Sequence, residues 1–227
     1  MRIFFANRIQ NQNRSLNSGS WQQLLFFVLP VLFSCSTLTT QTGTVVRTVD
    51  FEPAAKPEST VADDFELSGR VSVHNAQQRF SGNVRWHHTS LDDTVLLLSP
   101  LGQAVAEIYR NHKGVSFTTS KRDVYYARNV EDLTADMLGW RLPLDGLQYW
   151  VQGHHSPRSA ASVDFDSEDR VVAIRQNGWE IFFRHDKGNT KLSTQKVVRP
   201  RIIQLQFEDL NIRMVVDDWT ETPDDTL

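Results

Sequence analysis

Residues 65–88, FELSGRVSVHNAQQRFSGNVRWHH, alternate apolar and polar side chains with a period of two. The alternation runs from Phe65 to Val73, stops at a polar link and resumes from Phe80 to Trp86. Because successive side chains of a β-strand point to opposite faces, each run predicts a strand with one buried and one solvated face. The stretch therefore predicts the start of an antiparallel β meander.

The same alternation recurs along the rest of the chain. The additional predicted strands are Val95–Leu98, Ala104–Tyr109, Val171–Gln176, Trp179–Arg184, Ile203–Phe207 and Leu210–Val216. Asn177-Gly178 joins two of them and is typical of a type I′ hairpin, because both residues of that turn need a positive φ. These patterns predict a mainly β protein with antiparallel pairing.

Two short helical patterns interrupt the strands. Asn129 is a suitable N-cap for Val130–Leu138, which has one apolar stripe and is followed by a glycine. A second helix is predicted to start at Pro143 and to end at Gly153. Isolated helices of under about 12 residues are marginal in water, so both are expected to pack on the sheet. The predicted fold is a curved antiparallel sheet with a helical plug or lid over its open end.

The N-terminal region has the three parts of a bacterial secretion signal. Arginines precede an apolar run, Leu24–Phe33, which leads into Leu32-Phe33-Ser34-Cys35. The run is too short for the roughly 20 residues that span a bilayer, so no transmembrane anchor is expected. The last four residues resemble a lipobox, whose cysteine is acylated; the alternative is a signal peptide with an incidental cysteine. Because Ser36 and not aspartate follows, the lipobox resemblance implies the periplasmic face of the outer membrane.

Four segments are predicted from these features. They are a lipoprotein signal peptide at 1–34, a lipidated cysteine with a flexible tether rich in Thr, Pro and Ala at 35–64, a folded β domain at 65–219 and a polar tail at 220–227. Cys35 is the only cysteine, so no disulfide can support the domain. Its hydrophobic core must hold it together.

Composition and motifs exclude several classes of function. The formal net charge is −3 and the basic residues are scattered, so nucleic acid is not an expected partner. No Gly-rich phosphate loop, nucleophile elbow or His-Glu-x-x-His motif occurs, so we predict no catalytic residue, cofactor or metal site. His87-His88 and His154-His155 are interpreted as solvent or loop histidines, and Asp92-Asp93 as a solvated pair.

The link Ser99-Pro100-Leu101-Gly102 lies between two apolar strands. Serine, proline and glycine occupy positions that suit a type I turn, which leaves Leu101 at the tip, pointing away from the core. A single exposed leucine is also ordinary in soluble proteins. The turn alone leaves both interpretations of Leu101 open.

Several stretches together resemble one family. They are the Pro-Leu-Gly turn just described, the helix pair from Met137 to Gly153, the hairpin Gln176–Trp179 and the ending Ile212–Trp219. In their order and spacing, from about Phe65 to Trp219, they resemble the outer-membrane lipoprotein receptor LolB family. The lipobox-like ending at Cys35 agrees with this resemblance.

The resemblance implies an unclosed antiparallel β barrel with an α-helical lid and a hydrophobic cavity for acyl chains. The partners that it implies are acylated lipoprotein cargo, the periplasmic carrier LolA and outer-membrane lipid, for a protein that is expected to be a monomer. It also implies that Leu101, on a protruding loop with Pro100 and Gly102, helps to insert cargo into the membrane.

Candidate cavity residues are apolar side chains on the predicted inner faces of the strands and helices. They are Phe80, Trp86, Phe117, Met137, Leu147, Trp150, Trp179, Ile181 and Phe183. Two alternatives remain open at this point: a lipocalin-like carrier of a small lipid, and a tethered, non-catalytic assembly subunit.

Overall fold

The computed structural model describes residues 44–54, 64–185 and 199–221. These residues belong to one compact unit, Thr40–Leu227. The predicted signal peptide, Cys35 and most of the polar tail therefore lie outside the described residues.

Antiparallel strands make up most of the described chain. The strands are β1 Arg47–Phe51, β2 Phe65–His74, β3 Arg79–His88, β4 Asp92–Leu98, β5 Ala104–Asn111, β6 Gly114–Thr119, β7 Val124–Ala127, β8 Ala161–Phe165, β9 Val171–Gln176, β10 Trp179–Arg184, β11 Ile202–Phe207 and β12 Leu210–Glu221. The helices are α1 Val130–Leu138 and α2 Leu144–Trp150, which we call the lid. Neither helix, nor any other in the described ranges, is long and apolar enough to cross a bilayer.

All twelve strands form one sheet in the order β1-β8-β9-β10-β11-β12-β2-β3-β4-β5-β6-β7. Strands β1 and β7 are its opposite edges and do not pair with each other, so the sheet is curved but unclosed. The predicted fold class is confirmed. Each strand predicted from alternation is present, and α1 has the predicted bounds. Strands β6 and β8 were not predicted as strands, nor was β7, whose side chains are mostly exposed.

The prediction of a flexible tether over 35–64 is wrong at Arg47–Phe51. This segment forms β1, which pairs along its whole length with β8. The ring of Phe51 also stacks on His155, with 4.2 Å between ring centroids. Strand β1 is formed by pairing with residues more than 100 positions away in the chain. The local Thr- and Pro-rich composition gives no indication of that pairing.

The central strands bend where glycine lets two backbones approach closely. A Cβ on Gly69 would lie 2.3 Å from the carbonyl oxygen of Val215 on β12. The pairing of β12 with β2 shifts register next to this point, between Val216 and Asp218. Such bulges bend a strand and increase its local twist. The apolar side of the curved sheet and the lid together enclose the core.

The lid helices have sequence-encoded ends. The Asn129 side chain accepts a hydrogen bond from the backbone N–H of Asp132 at 2.8 Å, and Gly139 ends α1 with a φ of 74°. The buried Thr134 hydroxyl accepts from the N–H of Leu142 at 2.9 Å, which fixes the link between the helices. Pro143 precedes α2 as its N-cap residue, one position from the predicted start, but α2 ends at Trp150 and the chain turns over residues 151–153, so the predicted end at Gly153 is three residues too late.

The close approach at Gly69 makes a prediction. Gly69→Ala should lower the free energy of unfolding by roughly 1–3 kcal/mol, because the added methyl group would clash with the backbone carbonyl oxygen of Val215. Urea unfolding of the Thr40–Leu227 unit measures this difference. Ser68→Ala, on the opposite face of the same strand, is the matched control and should change stability far less. Equal midpoints for Gly69→Ala and the unsubstituted unit would contradict the account.

Candidate functional site

One end of the sheet holds a partly open cavity of about 200 Å³ beside α1. Its apolar walls are Val73, Phe80, Leu97, Val105, Met137, Leu138 and Trp140, and its rim is Asn75, Gln78 and Arg79. Sites for drug-sized ligands usually measure roughly 300–1,000 Å³. The cavity is therefore lined suitably for an apolar guest but is small for an acyl chain.

Two of the sequence-predicted cavity residues, Phe80 and Met137, line this space. The others are packed in the hydrophobic core between the sheet and the lid: Trp86, Phe117, Leu147, Trp150, Trp179, Ile181 and Phe183. Sequence reasoning missed Val73 and Leu97, which alternation alone could have identified because they share the inner face of the sheet with Phe80. A guest larger than the cavity has to displace side chains of this core.

The rim is closed by contacts between the β2–β3 hairpin and the end of α1. The side-chain amide of Asn75 donates to the carbonyl oxygen of Gly139 at 3.2 Å. The Gln78 amide lies so close to Gly139 that a Cβ there would be 2.1 Å from its Nε2. Glycine is thus required here both for the positive φ and for this packing. Because the Asn75 bond is solvent-exposed, it holds α1 weakly.

Helix α2 is fixed to the sheet on one side by a buried polar network. Asp93 is only 2% exposed. Its Oδ1 accepts from Trp86 Nε1 at 2.8 Å and lies 2.7 Å from His88 Nδ1. Arg110 donates to Oδ2 through Nε at 2.8 Å and also through Nη2, and its Nη1 donates to Asp145 in the first turn of α2.

This network corrects two interpretations of the sequence. Asp93 is not a solvated carboxylate and His88 is not a solvent histidine, since both are buried. Alternation along β3 and β4 turns both side chains to the inner face, where the His88 ring lies 4.9 Å from Phe65. By contrast, His154 and His155 occupy the turn after α2, as predicted.

The surroundings of Asp93 favour its ionised form. Burial alone would raise the pKa of this carboxyl group, but the hydrogen bond to His88 and the positive charge of Arg110 outweigh burial. The net effect is a pKa below the ordinary value of 3.8. The carboxylate is therefore charged at neutral pH and can hold Arg110 toward α2.

On the other side, Gln176 of β9 fixes the end of α2. Its Oε1 accepts from Trp150 Nε1 at 2.9 Å and from the N–H of Ser156 at 2.8 Å. Its Nε2 donates to the carbonyl oxygens of Ser156 and Ser159. These buried bonds tie α2 and the turn after it to the sheet, whereas the described bond from the end of α1 to the sheet is exposed.

Leu101 lies at the tip of a well-defined hairpin between β4 and β5. The carbonyl oxygen of Ser99 accepts from the N–H of Gly102 at 2.8 Å, and the N–H of Ser99 donates to the carbonyl oxygen of Gln103. Gly102 has a φ of 81°, as expected for a type I turn followed by a left-handed residue. The Leu101 side chain is 88% exposed, the most exposed large apolar side chain among those described.

The loop and the cavity lie at the same end of the sheet. Leu97 and Val105, which line the cavity, belong to the two strands that the loop joins. On β3, Phe80 faces the cavity, while Asn83 contacts the base of the loop at the Ser99 carbonyl oxygen, at 3.4 Å. The cavity and the loop that carries the exposed leucine are thus built on the same strands.

No group of three or more His, Cys, Asp or Glu side chains within the described ranges could hold a metal ion. Several acidic and basic side chains there form ion pairs, such as Arg175 with Asp164 and Arg170 with Asp166. The described site is thus an apolar cavity with a neighbouring apolar loop tip.

The chain is similar in sequence to proteins of one family. Residues 63–219 match the family described as outer membrane lipoprotein LolB. The chain is 40% identical over 192 residues to outer-membrane lipoprotein LolB of Nitrosomonas europaea, covering 85% of this chain and 89% of that protein. It is 37% identical over 176 residues to the LolB of Thiobacillus denitrificans, covering 78% and 90%. A LolA-superfamily protein of Nitrosomonas europaea has a TM-score of 0.43 at 8% identity, covering 71% of this chain and 87% of that one.

The Asp93 network predicts a pH-dependent stability. Because folding lowers the pKa of Asp93 from 3.8, its stabilising effect is complete above about pH 4 and is lost as the pH falls through the lowered value. Asp93→Asn should cost about 3 kcal/mol at neutral pH, because it leaves Arg110 without its buried partner. Urea unfolding measured from pH 7 down to pH 3 tests this.

The matched control is Asp145→Asn, which removes the exposed end of the same network and should cost under about 1 kcal/mol. The gap in stability between Asp93→Asn and the unsubstituted protein should narrow in acid. A difference in unfolding free energy between Asp93→Asn and the unsubstituted protein that stays constant over the whole pH range would contradict the stabilising role of the Asp93 carboxylate. An equal loss of stability in Asp145→Asn would contradict it as well.

Proposed function

This chain belongs to the LolB family of outer-membrane lipoproteins, and from that membership we propose that it accepts acylated lipoproteins from the periplasmic carrier LolA and inserts them into the outer membrane. The observation that carries the proposal is the placement of an exposed leucine beside the apolar cavity. A receptor of this kind needs the cavity to shield acyl chains from water and the exposed leucine to contact the membrane.

The cavity supports the first of these roles. Each buried methylene is worth about 0.8 kcal/mol, so several acyl chains cannot cross water unshielded. Phe80 and Met137 offer the guest its first apolar contacts, and the core side chains behind them can rearrange around it. We propose that α1 moves away from the sheet to admit the chains, while α2 stays in place through Arg110 and Gln176.

Transfer in this scheme runs down a gradient of binding free energy, from carrier to receptor to membrane. The small size of the empty cavity favours release, because the side chains around it regain their core packing when the guest leaves. The guest must therefore be bound tightly enough to leave the carrier and weakly enough to enter the bilayer. The protein itself acts without catalysis in this proposal.

The anchor completes the proposal. Cys35 is acylated and becomes the first residue of the mature protein when residues 1–34 are removed, and it holds the protein on the periplasmic face of the outer membrane. The chain between Cys35 and β1 then connects the anchor to the domain at 65–219, and residues 220–227 follow as a polar tail. Strand β1 adds residues 47–51 to the folded part. The proposed receptor acts as a monomer.

A photoreactive phenylalanine analogue tests the cavity. Placed at Met137, it should crosslink to the acyl chains of a lipoprotein bound to the Thr40–Leu227 unit. Placed at Glu107, an exposed position on the outer face of β5, it should not. Crosslinking to the protein part of the cargo alone, or equal yields at both positions, would contradict a cavity site. Efficient crosslinking to a free fatty acid that acylated protein cannot displace would favour a small-lipid carrier.

Leu101→Glu tests the loop. Burial of a leucine is worth about 1.5–3 kcal/mol, so insertion of cargo into vesicles should slow by roughly tenfold or more, with folding and cargo receipt retained. Leu91→Glu is the matched control, because Leu91 is 78% exposed at the tip of the β3–β4 hairpin. Normal insertion by Leu101→Glu, or equal slowing in both variants, would remove the proposed role of the loop.

A further inference from the structure

A second depression lies on the outer face of the sheet, at the base of the Leu101 loop. It has a volume of about 390 Å³ and lies where β12, β2 and β3 run side by side. We call it the outer groove; it is lined by Arg70, Val71, Ser72, Ser81, Gly82, Asn83, Pro100, Arg213 and Val215. Five of these residues, Arg70, Ser72, Ser81, Asn83 and Arg213, have side chains with hydrogen-bond donors.

The register of the strands brings the donors of the outer groove together. Arg213 pairs with Ser72, which in turn pairs with Ser81. Arg70, two residues before Ser72 on the same face of β2, pairs with Asn83. Diagonal neighbours of this kind on adjacent strands are roughly 7–8 Å apart, within reach of long side chains. Both guanidinium groups can therefore approach one ligand.

Arg213 has guanidinium donors available for a ligand. It is exposed, and no hydrogen bond or ion pair of its side chain is found among the described residues. Arg70 uses Nε and Nη2 to bind Asp217, at 3.0 and 2.9 Å, which leaves Nη1 for a second partner. Arg201 Nη2 lies 4.0 Å from the same carboxylate. Asp217 thus lies beside two arginines, Arg70 and Arg201. The lining of the outer groove itself includes two arginines, Arg70 and Arg213, and no acidic residue.

We propose that the outer groove binds the phosphate of a membrane phospholipid. The planar guanidinium group matches phosphate oxygens with two parallel hydrogen bonds, and the two serines and Asn83 add neutral donors. The inference rests on the proposed membrane role of the Leu101 loop, because Pro100 of that loop forms one wall of the groove. A cationic site next to an apolar tip is the pattern of binding at a membrane interface.

Phosphate binding would orient the receptor. The chain has a formal net charge of −3, so it has no general attraction to an anionic surface. A local pair of arginines therefore selects which end of the protein approaches the bilayer. With phosphate held in the outer groove, Leu101 reaches past the head groups and the cavity end faces the lipid.

Flotation of the Thr40–Leu227 unit with phosphatidylethanolamine vesicles that contain phosphatidylglycerol tests the proposal. Arg213→Ala should lower the fraction bound by about fivefold at low salt, and Arg213→Lys by less, since it keeps the charge without the planar fork. Added salt should reduce the difference. Arg158→Ala, which removes an exposed arginine outside the groove, should bind like the unsubstituted unit. Unfolding midpoints establish that all variants are folded.

The following outcomes would contradict phospholipid binding in the outer groove, and each has a different explanation. Equal losses for Arg213→Ala and Arg158→Ala would indicate general charge attraction. If Arg213→Ala loses binding to inorganic phosphate but still binds vesicles, the outer groove is a site for a soluble anion and not for a phospholipid. If Leu101→Glu weakens vesicle binding but Arg213→Ala does not, the groove proposal fails and the proposed function stands. If neither changes it, the membrane role of this end of the protein fails as well.

Discussion

The structure depends on covering the apolar inner face of a sheet that does not close. A closed barrel would bury that face by itself. Here β1 and β7 do not pair, so two short helices have to cover the face. Helices of this length are not stable alone. Arg110, held by the buried Asp93, contacts α2 on one side and Gln176 contacts it on the other. The link between the helices is held by Thr134 of α1.

The two helices of the lid are held to the sheet by different kinds of contact. Helix α2 is bound through the buried hydrogen bond from Trp150 to Gln176, whose loss is costly, and through an exposed ion pair between Asp145 and Arg110. Helix α1 meets the cavity through Met137 and Leu138 and the rim through an exposed bond at Gly139. In the proposed opening, a guest that enters between the sheet and the lid meets one boundary held by a buried hydrogen bond at α2 and one held by an exposed hydrogen bond at the end of α1. The loop with Leu101 and the outer groove lie at the end where that opening would occur.

Much of this architecture was predictable from local patterns. Alternation identified the central strands, Asn177-Gly178 the β9–β10 hairpin, and Asn129 with Gly139 the ends of α1, because each of these features depends on neighbouring residues. Strand β1 was not predictable in this way, since its order depends on pairing with β8. Asp93 and His88 were misinterpreted for a related reason: their residue types favour solvent, and only the cross-strand position of Arg110 explains their burial. The cavity lining was only partly predictable, because a shared inner face does not distinguish packed core from open space.

The most direct test of the central claim is transfer of cargo between proteins. A complex of LolA with an acylated lipoprotein is mixed with the Thr40–Leu227 unit, and the unit is recovered to ask whether cargo has moved to it. The account predicts transfer of acylated lipoprotein and none of the same protein without acyl chains. Acylated cargo that stays with the carrier in the presence of a folded unit would contradict it.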